Sequence, residues 1–143
     1  MREGCPGLPR ARLGVVALLA GAVSSCATSG ALTCGPGEKE QVSETLYFGA
    51  AEPNGLVDDA EWTPFLAEWV TPRFPDGLTV WHATGQWRGA DGRIVEEPSR
   101  ILYLVHAGDE ASKRKVEEIA SAYKRRFHQE AVLRTRGAVC VSY

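Results

Sequence analysis

Apolar positions along this chain change spacing several times, and each change predicts an element. In "ETLYFGA", Glu44 to Ala50, aromatic and aliphatic residues precede a glycine, which reads as a first strand. The turn-rich "AEPNGLV" follows. Asp58 with Glu61 three residues later has the form of a capping box, Asp replacing the usual Ser or Thr. Trp62, Phe65, Leu66, Trp69, Val70 and Phe74 then recur at helical spacing. Pro64 lacks an amide donor, so a kink or loosened first turn is expected. Pro72 and "FPDG" stop the helix. "LTVWHATGQWRG" (78–89) and "RIVEEPSRILYLVHA" (93–107) read as two strands around Asp91-Gly92, a good tight-turn pair. Pro98 predicts a bulge or an unpaired position. Asp109 caps a second helix with the apolar stripe Val116, Ile119, Ala120, Tyr123 and Phe127. "AVLRTRGAVCVSY" is a last strand, expected to break near Gly137. The order β-α-β-β-α-β predicts an α+β fold: a ferredoxin-like split β-α-β arrangement, a four-stranded antiparallel sheet with two helices on one face.

Upstream the pattern is different. Arg2, Arg10 and Arg12 precede an apolar run from Leu13 to Val23, and Ser24, Ser25 and Cys26 follow. This is the layout of a secretory signal, 1–25. The run is well short of the ~20 residues a spanning helix needs. "VSSC", Val23 to Cys26, resembles the bacterial lipobox, in which the cysteine is acylated and becomes the first mature residue. The resemblance implies a membrane partner, held through acyl chains on Cys26. It also implies a cell-envelope, periplasm-facing location, and Ala27 after the cysteine favours the outer membrane of a Gram-negative cell. Residues 26–42, rich in Ser, Thr, Gly and charge, read as a tether to one domain at 43–143.

Charge narrows the partners. The chain carries a formal net charge of −2, and the three signal-segment arginines do not belong to the exported part. A mildly acidic exported domain is a poor nucleic-acid binder. "KRK" (113–115) and "KRR" (124–126) read as a solvated helix face. Of the four cysteines, Cys5 leaves with the signal and Cys26 is the lipid site. Cys34 and Cys140 are expected to pair in an oxidising compartment, closing most of the domain into a loop worth on the order of 4 kcal/mol. Two separate buried thiols are the alternative.

Candidate chemistry is sparse. Arg73 and Asp76 in "TPRFPDG" read first as a turn; with His106 and Asp109 at the same sheet end they form a possible anion or acid/base site. Gln86, Trp87, Arg88, Glu96 and Glu97 gather on the hairpin near Asn54, where paired acids could bind a cation or do acid/base work; cross-strand charge pairing around a packed tryptophan accounts for them most simply. His82, His106 and His128 lack metal-ligand spacing, and no cofactor motif or Ser-His-Asp set is present. If Asp91-Gly92 sets the hairpin, Leu78 and Val80 share a face with Leu102 and Leu104. The opposite face then carries Trp81, Ile101, Tyr103, Val105 and Tyr47, too apolar to be left wet. A second copy in a homodimer, a ligand pocket, or the tether folding back would cover it.

"LYFG" (46–49), "DAEWTPFL" (59–66), "VTPRFPDGLTV" (70–80), "GQWR" (85–88), "EPSRILYLV" (97–105), "AYKRRF" (122–127) and "VCVSY" (139–143) together resemble a bacterial family of short lipoproteins known only as domain of unknown function 3574. Thr63-Pro64 departs from that pattern. The resemblance implies one domain and a lipoprotein, and brings no activity, cofactor or catalytic residue. Sequence alone thus predicts a lipid-anchored, non-enzymatic binding or self-associating module. The alternative is a small periplasmic enzyme, with its pocket on the open sheet face or at the Arg73/Asp76/His106 end.

Overall fold

The computed structural model describes residues 32–52 and 55–143. The signal segment, Cys5, Cys26 and Asn54 lie outside the described residues. No helix among the described residues is long and apolar enough to cross a membrane.

Strand β1 (Lys39–Gly49) leads into a small hairpin of β2 (Ala51–Glu52) and β3 (Gly55–Leu56). Helix α1 (Asp59–Phe65) follows and continues as a π-helical turn, Leu66–Val70. Then come β4 (Thr79–Arg88), β5 (Ile94–His106), α2 (Glu110–Arg126) and β6 (Leu133–Val141). The main sheet has the order β4-β5-β1-β6, with every neighbouring pair antiparallel. This is the predicted ferredoxin-like order: the first and third long strands lie at the centre, the other two at the edges.

The side chains of the two helices and of alternate sheet residues form one core. Leu46 and Phe48 of β1, and Leu102 and Leu104 of β5, meet Trp62, Phe65 and Val70 from the first helix and Val116, Ile119, Tyr123 and Phe127 from the second. The centre is aromatic. The Tyr123 ring lies 4.5 Å from Phe48 and 4.7 Å from Phe127, and Trp62 lies 5.3 Å from Phe48. Such tilted pairs contribute about 0.5–1.5 kcal/mol each beyond area burial. Burial pushes the Tyr123 phenol well above its ordinary pKa, and its hydroxyl donates to the Gly49 carbonyl at 2.8 Å.

Local signals account for the helix starts. Asp58 accepts the Glu61 amide at 3.0 Å, and the Glu61 carboxylate accepts the Asp58 amide at 3.3 Å, completing the capping box. Asp109 accepts the Ser112 amide at 2.7 Å, and that bond holds its carboxyl below the ordinary value. The basic runs of α2 lie on its outer surface, where Arg126 meets Glu68 and Lys113 meets Glu110.

Three local expectations change, and the one for Pro98, a bulge or an unpaired position, resolves to a residue unpaired on the β1 side. The first turn of α1 is regular; the irregularity follows Pro64, where the helix widens into the π turn closed by Thr71 N–H to Leu66 O at 2.9 Å. Without an amide at Pro64 the regular ladder is already broken there. Pro98 makes no bulge. Pairing with β4 runs straight through Thr84↔Pro98, and β1 ends at Gly49↔Ser99, so no strand asks Pro98 for an amide on that side. Strand β6 runs unbroken through Gly137, which pairs with Ser43. Finally, β1 begins at Lys39, inside the stretch read as tether, because β6 is long enough to pair with it as far as Lys39↔Val141. The Asp91-Gly92 turn is present: the Gly92 amide bonds Gly89 O at 2.9 Å and Gly92 takes φ 81°, a left-handed position suited to glycine.

The Cys34–Cys140 disulfide is formed, with the Cα atoms 5.5 Å apart. It staples the chain entering β1 to the end of β6.

Candidate functional site

Alternation along β4 places Trp81, Ala83, Gly85 and Trp87 on the face away from the helices. The order is large, small, small, large. Their partners on β5 are Ile101, Ser99, Glu97 and Val95. On β1, Tyr47 stands opposite Ile101 and Gly49 opposite Ser99. Leu133 of β6 stands opposite Tyr47. The small side chains make a floor and the large ones make walls. The result is an open cavity of about 630 Å³ on the sheet face. The segment after α2, His128 to Ala131, forms one side of it. The Gln129 amide donates to the carbonyls of Ala51 and Phe127, tying that segment to the β2 hairpin.

The register predicted from the hairpin is the one observed. Trp81 and Trp87 remain 44% and 45% exposed, and Leu133 54%, whereas Ile101 at the centre is covered to 3%. Half-exposed indoles around a concave floor differ from a featureless apolar sheet. They leave ring faces available to a ligand.

Glu97 is the fixed polar group of this cavity. Its Oε2 accepts the Ala51 amide at 2.9 Å. Its other oxygen lies against Gly49, where a Cβ would come within 2.4 Å of Oε1. Glycine at 49 is therefore a steric condition for the carboxylate's position. Of the residues singled out from sequence, Trp81, Gln86, Trp87 and Glu97 line the cavity.

The other proposed end is not assembled. Arg73 stacks 4.7 Å over Trp69, bonds the Trp69 carbonyl and pairs with Glu118 at 3.0 Å. Asp76 is exposed in the turn after Phe74. His106 points inward, because its strand parity is that of Leu102 and Leu104. Its Nδ1 accepts the Gly108 amide at 3.0 Å, so its Nε2 carries the proton and donates to Glu44 at 3.2 Å. Arg73 and His106 thus serve two separate structural contacts, and exposed Asp76 joins neither.

Sequence reading missed two polar clusters on the covered face. Glu44, only 1% exposed, accepts from His106 and from Arg134, whose Nε lies 2.9 Å away. Arg100, also buried, reaches Asp59 at 2.8 Å, the Val57 carbonyl at 3.4 Å and His82 Nδ1 at 3.2 Å, while its own Nε has no partner. The signal was available in the alternation. Glu44 has the parity of Leu46 and Phe48, and Arg100 that of Leu102.

A family model described as protein of unknown function (DUF3574) matches residues 43–143. The chain belongs to that family. The DUF3574 match spans all of β4, β5, α2 and β6, and therefore every cavity residue named above. No curated protein matches the chain. Among solved structures the DUF3574 domain is similar to a phage SAM lyase in complex with S-methyl-5′-thioadenosine, with a TM-score of 0.57 and 14% identity over 78% of this chain and 95% of that one. It is likewise similar to a phage SAM lyase in the apo state, at 0.55 and 13% over 79% and 96%. At such identities the likeness is one of fold.

Proposed function

We propose that this chain is an envelope lipoprotein, anchored through acylated Cys26, whose DUF3574 domain binds a small molecule in the cavity on its open sheet face. The observation that carries the reading is the cavity itself: small residues at Ala83, Gly85, Ser99 and Gly49, walled by Trp81, Trp87, Tyr47 and Leu133. Its volume of about 630 Å³ falls within the usual range for small-molecule sites. The anchor rests on the order of charge, apolar run, small residues and cysteine at the N-terminus, and the formed Cys34–Cys140 bridge agrees with an oxidising compartment.

The pocket is tested by tryptophan fluorescence against a panel of ring-bearing small molecules. S-methyl-5′-thioadenosine, the compound bound by the phage lyase of similar fold, belongs in it. At least one member should produce a saturable change, weakened tenfold or more by Ala83→Leu, which fills the floor without removing an indole. A panel with no saturable member would reject the pocket.

The anchor is tested by fractionation. Cys26→Ser should move the protein from the membrane fraction to the soluble one. Unchanged sedimentation would contradict acylation at Cys26.

A further inference from the structure

Charge around the cavity has one sign. Among the described residues, the charged side chains that line it are Glu52, Glu97 and Glu130, with no lysine or arginine; the His128 imidazole lines it as well. The chain as a whole carries nearly balanced charge, 16 Lys+Arg against 18 Asp+Glu, so this bias is local. It coincides with the aromatic walls, and the two features favour the same kind of guest. The face of an indole or phenol ring is electronegative and attracts a cation placed over it, by about 0.5–2 kcal/mol depending on how dry the site is. A carboxylate beside such a ring adds Coulomb attraction, stronger next to apolar surface than in open water.

We infer that the cavity accepts a compact organic cation with an apolar surface, of the quaternary-ammonium kind, held against the Trp87 ring and countered by Glu97. This rests on the sheet-face cavity being a ligand site and names the ligand's chemistry. Glu97 suits the role because it is held in place before a ligand arrives. One oxygen is bonded to the Ala51 amide and the other rests against the bare backbone of Gly49. Its strand position opposite Gly85, with Trp87 opposite Val95, puts Trp87 diagonally next to it on the same face. Glu52 and Glu130 add to the negative field of the cavity. A strongly hydrated cation would lose water to an apolar floor that returns few hydrogen bonds. A poorly hydrated cation with methyl groups loses little and gains ring contact. Anions meet like charge at Glu52, Glu97 and Glu130.

The test uses a matched pair, choline and its neutral isostere 3,3-dimethylbutan-1-ol, titrated into the full chain in nonionic detergent and followed by indole resonances and calorimetry. Choline should bind at least tenfold tighter than the alcohol. Glu97→Gln keeps an oxygen for the Ala51 amide and removes the charge, and it should bring the ratio close to one without shifting the melting temperature. Trp87→Leu, at an exposed position, should weaken choline fivefold or more and serves if the glutamine variant folds poorly. A ratio near one in the unsubstituted chain overturns the inference, and so does a ratio that survives both substitutions. If choline fails while a neutral member of the ring-bearing panel still saturates, the pocket stands and the cation preference is wrong. If nothing binds, both are wrong.

Discussion

Replacing Cys34 and Cys140 together by serine is expected to lower the unfolding free energy by about 4–5 kcal/mol and the melting temperature by on the order of 20 °C. The bridge links residues 106 apart, so it closes nearly the whole domain into one loop. Most of its effect lies in the unfolded chain, which without it gains the freedom of an open loop of that length. The native state also depends on it more than usual. Strand β6 sits at the sheet edge and is largely exposed along its length, so little burial holds it in place. The bridge stands where β1 and β6 pair through Glu40↔Cys140, beyond the reach of the aromatic core. Urea melts of the oxidised chain and the double-serine variant measure the difference. Coincident midpoints would show that the bridge contributes nothing, and reduction of the unsubstituted chain should reproduce the variant's melt.

Arg134→Met is expected to cost about 3 kcal/mol, the lower end of the range for stranding one member of a buried ion pair, because Arg134 itself is partly exposed. Glu44 is almost fully covered and depends on two partners, the Arg134 guanidinium and the His106 Nε2 proton. Methionine keeps much of the arginine stem's packing and removes the charge, which leaves the carboxylate with a single neutral donor. A second substitution separates this from lost packing. Glu44→Leu in the Arg134→Met background removes the stranded charge and should recover at least half the loss, since apolar residues of similar size commonly replace buried ion pairs at little cost. A single-variant loss below about 1 kcal/mol would mean that water reaches Glu44 in solution.

Much of the fold was legible because it depends on short-range regularities. The capping box at Asp58 and Glu61, the Asp109 cap and the Asp91-Gly92 turn each involve residues no more than three apart, and each is present. The register of β4 against β5 followed from that turn, and with it the shared face of Trp81, Ile101 and Tyr47. The errors fall where a distant partner decides. The break expected at Gly137 disappears because β1 supplies Ser43 opposite it, and β1 extends back to Lys39 because β6 reaches that far. His106 was grouped with Arg73 and Asp76 on the ground of sheet end alone. Its parity sends it inward instead, to Glu44 and against the Phe74 ring at 5.6 Å.

The candidate site divides in the same way. "WHATGQW" already contains two of its walls and part of its floor at period two, and the Cys34–Cys140 pairing was expected from the cysteine count together with the export signal read at the N-terminus. By itself, then, the sequence determined the order of the long strands and the helices, the two sheet faces and the family, while the loop read at 51–57 holds the short β2–β3 hairpin and the disulfide was the favoured of two readings. Only the tertiary structure decided that Gly49 lies under Glu97, that the acids lining one cavity are Glu52, Glu97 and Glu130, and that Glu44 meets an arginine 90 residues away. The physical reason is range. Side-chain alternation and helix caps are set by neighbours along the chain, whereas the meeting of particular side chains depends on strand order and register, which are settled only when the whole sheet closes over its core.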